Sequence, residues 1–204
     1  MIPVIPAGIE PAAYGLGNRR SIRLSYGIGS SRGSAGRGDE RRDCASGGRR
    51  PQGGGRRAYA AGVTLDDGAA RAGVLVRMHD AMTAEDLPLL REVLAREVEA
   101  RRAHGGDDPH YENLYWAAFL LARAGALEDV LPMWRAKHVD FDCGCGFDVQ
   151  FLVGAGVDAT LAYLDESDDG DAAAAAAYIR HCREGGDFDD LAAWAACRDA
   201  YFRG

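Results

Sequence analysis

The densest set of reactive side chains lies in HVDFDCGCGFD, residues 138–148: His138, Asp140, Asp142, Cys143, Cys145 and Asp148. Three chemistries use such residues. Cys143 and Cys145, with His138 or a carboxylate, can chelate a soft metal, although structural zinc sites draw on ligand pairs of C-x₂₋₄-C spacing and this pair is C-x-C. His138 can serve as base to the Cys143 thiol. The aspartates lack the D-x-D-x-D-G order of a calcium loop. A fourth reading is structural: an Asp caps a helix, Gly144 and Gly146 shape a turn, and Cys145 is a small buried hydrophobe. The spacing favours this last reading, with no cofactor and no metal, and keeps a small metal- or thiol-dependent enzyme as the alternative.

The elements around the cluster follow from periodicity. Cys145, Val149, Leu152 and Val153 recur at helical spacing, which predicts one apolar face with Cys145 on it and Cys143 outside. Gly154 and Gly156 then break the chain, and Val157, Leu161 and Leu164 resume the period. Gly154-Ala155-Gly156-Val157-Asp158-Ala159 also fits the G-x-G-x-x-A turn of dinucleotide-binding folds. That turn needs a second apolar strand after its helix, and residues 167–177, SDDGDAAAAAA, offer none. The sequence therefore reads as helix, glycine turn, helix.

Composition divides the 204 residues sharply. Residues 1–77 hold 13 arginines against 6 acidic residues, and residues 78–204 hold 25 acidic against 11 basic residues. An acidic C-terminal part disfavours nucleic acid and favours a basic protein partner. No run of about 18 apolar residues is present to span a membrane. Five cysteines in 204 residues do not form a disulfide framework, so a reducing cytoplasm is expected.

In the N-terminal part, residues 28–57 are Arg/Gly-rich with almost no large apolar side chain, and are expected to be disordered. They contain neither an Arg-Gly-Gly triplet nor aromatic residues among the arginines, so an RNA-binding tail is disfavoured. RRSIRLSYG (19–27) and GIEP (8–11) resemble the peptides obtained by reading the complementary strand of a transfer-RNA gene through its D- and T-arms. The resemblance implies that residues 1–77 are a spurious extension, expected to be disordered, with Met78 or Met82 as the true start.

From Met78 on, helix signals repeat. Thr83 or Asp86 caps a helix bearing Leu87, Leu90, Leu94 and Val98, which ends at Gly105-Gly106. Asp108-Pro109 opens a second, closed by Gly125. Leu127–Lys137 forms a third, Asp168–Glu184 an Ala-rich sixth, and Asp187 caps the last, with Phe188, Leu191, Trp194, Ala195 and Tyr201 inward. The reading is an all-α domain over 78–204 with about seven helices arranged as hairpins. Leu127, Val157 and Phe188 follow a glycine at steps of 30 and 31 residues, each just ahead of acidic residues that open a helix. In this period the chain resembles small bacterial αα-repeat proteins of tetratricopeptide or ankyrin type, which implies a short solenoid and a protein-binding role, an antidote or immunity type included. Trp116, Trp134 and Trp194 are core residues on this reading, or hot spots on a solenoid's concave face.

Overall fold

The structure is a computed structural model that describes residues 64–204. These fall within one of the two units into which the chain divides. The expectations for residues 1–63, including the transfer-RNA resemblance, the disorder of 28–57 and Cys44, lie outside the described residues.

The described residues are all-α, with eight helices. Asp67 accepts the amide of Ala70 at 2.7 Å and opens α1 (Gly68–Asp80). Thr83 and Asp86 bond to each other across a 3-10 turn, Thr83 N–H to Asp86 Oδ2 at 2.7 Å, and α2 (Leu87–His104) follows with Pro88 in its first turn. Gly105, at φ +62°, ends it in a conformation that costs glycine little. The remaining helices are α3 (Asn113–Ala124), α4 (Val130–Lys137), α5 (Phe141–Gly146), α6 (Val157–Asp165), α7 (Ala172–Glu184) and α8 (Leu191–Arg203).

Helix α3 is apolar almost all round and buries Leu114, Ala117, Ala118, Phe119, Leu120 and Leu121. A helix with no polar face must be covered on every side. Helices α1 and α2 and the 3-10 segment Val149–Val153 cover it, while α6 and α7 pack as a second pair. Helix α8 closes the fold through aromatic contacts. Phe202 stacks on Trp116 with ring centroids 5.6 Å apart, and Trp194 meets Phe119 and Phe151 edge to face.

Four expectations are corrected. Among the described residues helix starts at Gly68, ten residues before Met78, and it belongs to the fold, because Val74 and Leu75 are buried and Arg71 donates to Glu97 of α2 at 2.6 Å. The sixth expected helix begins at Ala172 rather than Asp168. Asp169 and Asp171 are held in the preceding turn by the Arg135 guanidinium. The last helix is capped by Asp190, which accepts the Ala193 amide at 2.9 Å, and not by Asp187. Tyr201, expected inside, is 53% exposed, and Phe202 turns inward instead. The inward stripe of α8 runs Leu191, Trp194, Arg198, Phe202. A charge in the middle of it conceals the period.

The two glycines of the nucleotide-like turn have separate structural reasons. A Cβ on Gly154 would lie 2.0 Å from the carbonyl oxygen of Ala122, so only glycine lets the 149–153 segment reach α3. Gly156 sits at φ +99° as the residue before α6. What precedes the turn is a 3-10 segment, and no strand occurs among the described residues.

Candidate functional site

The 138–148 cluster is held by bonds that the fold itself requires. Asp140 is extended and accepts the Cys143 amide at 2.8 Å, which starts α5. The same carboxylate takes the Nε–H of the nearly buried Arg101 at 2.5 Å, and a further guanidinium nitrogen lies 3.4 Å from Asp142. The Arg101 hydrogen bond holds Asp140 below the usual carboxylate range. Asp140 is thus a charged brace between α2 and α5, permanently ionised near neutrality.

The two thiols stand the opposite way from expectation. Cys143 is buried at 1% exposure and Cys145 is exposed. The apolar period counted from Cys145 through Val149 crosses a real break, because α5 ends at Gly146 and Val149–Val153 is a separate 3-10 segment. The inward pair is Cys143 of α5 and Phe147 just past its end, four residues apart. Burial pushes the Cys143 thiol up to about 11, and the Tyr115 hydroxyl lies 3.9 Å from its sulfur. A thiol held protonated at neutral pH is a poor nucleophile and a poor metal ligand.

The remaining members point elsewhere. His138 Nδ1 bonds the carbonyl oxygen of Trp134 at 2.8 Å and its ring lies on the Trp134 indole, centroids 4.0 Å apart. Asp148 accepts the Trp194 indole N–H at 2.8 Å and the Arg198 Nε–H at 2.6 Å, tying α8 to the segment after α5. Asp140, Asp142 and Cys143 are brought together around Arg101, whereas His138 and Asp148 bond to other partners. Among the described residues no group of three or more His, Cys, Asp or Glu is arranged to hold a metal ion.

Three polar groupings were not singled out from the sequence. Lys137 is buried, and its ammonium donates to the carbonyls of Gly144 at 2.7 Å and Phe147 at 2.8 Å, with the Tyr178 ring 5.5 Å away. Burial lowers its pKa. A lysine ending one helix just before a Gly-rich short one is the signal that was available, since cations neutralise helix C-terminal carbonyls. Arg71, Glu97 and Asn113 form a second buried group, with Asn113 donating 2.9 Å bonds to Glu97 and to the Gly68 carbonyl.

The third joins Trp116, His79 and Asp199. The Trp116 indole donates to His79 Nδ1 at 2.8 Å, so that nitrogen accepts and Nε2 carries the proton directed at Asp199, also 2.8 Å away. Both ring nitrogens are therefore engaged, and the imidazole is a relay of hydrogen bonds instead of an available base. Asp199 also receives Arg203 Nε–H at 2.9 Å. These donors, Arg203 first and His79 second, hold its carboxyl down to about 2.

Two open surfaces are lined in part by α8. A cleft of about 450 Å³ lies between α3, the 149–153 segment and α8, walled by Phe119, Val153, Leu191 and Trp194, with Arg123 and Asp199 in its lining. A groove of about 560 Å³ lies where α1, the start of α3 and the end of α8 meet. Val76, Tyr111 and Tyr201, three of the four large hydrophobic residues left exposed among the described residues, all line it. Phe141 is the fourth. No helix among the described residues is long and apolar enough to cross a membrane. Compared with known proteins, the chain matches no family profile, no curated protein and no solved structure.

Proposed function

We propose that the protein is a non-catalytic helical module that binds another protein. The observation that carries this reading is the gathering of Val76, Tyr111 and Tyr201 on one groove, while His138, Asp140, Cys143 and Asp148 are engaged in holding the fold. Contiguous exposed apolar side chains rimmed by polar ones mark interaction sites. The charge pattern indicates the sign of the partner. Ten arginines of the described residues are already paired with internal carboxylates, so the acidic excess faces outward. A basic protein fits that surface and a polyanion such as nucleic acid does not. An antidote- or immunity-type role, in which the partner is a basic protein, is one form of this activity.

The test is to isolate the partner by affinity purification and rebuild the complex from purified components. A stoichiometric complex on size-exclusion chromatography supports the reading. Repeated failure to obtain any complex, together with turnover of a substrate by the purified chain, contradicts it. A second reading rests on the 450 Å³ cleft, whose volume and apolar walls suit a small molecule. A rise in melting temperature with an apolar ligand, lost in Trp194→Ala, would favour it.

A further inference from the structure

We infer that the groove at α1, α3 and α8 receives a cationic side chain, a lysine ammonium or arginine guanidinium presented by the basic partner, with Glu112 and the tyrosine faces as its receptor. The inference rests on the interaction-module reading and names the site and the contact that module uses.

The floor of the groove is the stacked pair Trp116 and Phe202, with ring planes only 6° apart. Tyr111 and Tyr201 form its exposed walls. Between them Glu112 accepts both tyrosine hydroxyls on the same oxygen, Oε1, with Tyr111 at 3.2 Å. The hydrogen bond to Glu112 and the nearby carboxylate push the Tyr201 phenol up to about 12, so it stays a donor. The second oxygen, Oε2, carries no bond among the described residues. A half-buried carboxylate is therefore fixed in place by two hydroxyls on one side and left open on the other.

That arrangement selects for positive charge. A carboxylate oxygen with open lone pairs asks for a charged donor, and tyrosine and tryptophan faces attract ammonium and guanidinium groups. The Tyr201 ring already does so within the molecule, with the Arg198 guanidinium 5.8 Å from its centroid. Tyr111 has no such cation among the described residues. The arginines nearby are already paired, Arg203 with Asp80 at 3.1 Å and with Asp199, and Arg198 with Asp148. An acidic or purely aliphatic occupant would leave Glu112 facing either a like charge or an apolar group.

The experiment titrates the full chain with hexalysine by calorimetry, using hexaglutamate as the opposite-charge control. Glu112→Gln keeps an acceptor for both tyrosines and removes only the charge. Tyr111→Ala removes a wall. Each is expected to weaken hexalysine binding by about tenfold, the loss of one charge-assisted bond or one cation–π contact, with melting temperatures within a few degrees of wild type. Glu166→Gln with Asp168→Asn, two exposed carboxylates beyond α6, is expected to change binding by less than about twofold. Absence of hexalysine binding overturns the inference. So does equal weakening by the Glu166/Asp168 variant, which would show attraction by net charge alone. A partner complex that forms undiminished with Glu112→Gln also overturns it, while leaving the interaction-module reading in place.

Discussion

Tyr201, near the end of the last helix, donates its hydroxyl to Glu112, 89 residues earlier, just before α3. Its neighbour Phe202 is buried against Trp116. Phe202 thus anchors α8, and Tyr201 just before it leaves its ring outside, on the same groove. Phe202→Ala is expected to lower stability by about 3–5 kcal/mol, as for a large core aromatic. Tyr201→Ala should stay within about 1 kcal/mol. Denaturant unfolding of both variants checks this division. Equal losses would mean that Tyr201 is a core residue.

The buried pair Arg71 and Glu97 makes α1 integral to the fold. Removing one partner strands a charge in the interior, which costs about 3–5 kcal/mol. Glu97→Ala is expected to destabilise by that amount. A chain beginning at Met78 loses Arg71, Val74 and Leu75 together and should fail to fold cooperatively, as read by circular dichroism and thermal melting. Cooperative melting of that shorter chain at the full-length temperature would show α1 to be dispensable.

For the thiols, Cys143→Ser should cost about 1–3 kcal/mol, the penalty of a hydroxyl in an apolar site, and Cys145→Ser less than about 0.5 kcal/mol. Native thiol labelling should mark Cys145 and Cys197 and spare Cys143 and Cys182. The buried thiols also set an alkaline limit. Their folded pKa of about 11 lies above the ordinary value of about 8.5, so the folded state holds more protons between these values. Stability should therefore fall as pH rises from about 8.5 to about 11. Cys143→Ala with Cys182→Ala should flatten that fall.

Asp199 gives the opposite slope. Its folded pKa, about 2, is below the unfolded value of about 4, so its contribution is present above pH 4 and lost as pH drops toward 2. Asp199→Asn should be less stable than wild type at pH 7 and converge with it near pH 2. A constant difference across that range would remove the Arg203 ion pair and the His79 hydrogen bond as its cause.

Thr160 and Gly154 test packing around α6. The Thr160 hydroxyl is buried without a hydrogen-bond partner among the described residues, so Thr160→Val should stabilise by about 1 kcal/mol. Gly154→Ala forces a methyl onto the Ala122 carbonyl and should destabilise by about 3 kcal/mol or more. Thermal melts of both variants decide these signs.

Helix-bearing segments were readable because apolar residues recur at helical spacing and glycines mark the ends, as at Gly105, Gly125 and Gly156. What was hidden involved charges acting at a distance. Arg71 and Arg101 sit inside because Glu97 and Asp140, 26 and 39 residues away, neutralise them. No local pattern announces such pairs. A period read across the break at Phe147 inverted the two cysteines, and Arg198 within the apolar stripe of α8 misplaced Tyr201. Of the proposed site, Trp116 and Tyr201 were named from the sequence, Tyr201 on the wrong side of its helix. Val76, Tyr111, Glu112 and Tyr201 are brought together by packing of helix ends.

The most direct test of the account is hydroxyl-radical footprinting of the full chain with and without its isolated protein partner. Both regions carry reporters: Tyr111 and Tyr201 on the groove, Phe141 at 82% exposure and Cys145 in the 138–148 stretch. The account predicts protection of Tyr111 and Tyr201 on binding, with Phe141 and Cys145 unchanged. Protection confined to Phe141 and Cys145 would contradict it and move the functional site to the cluster.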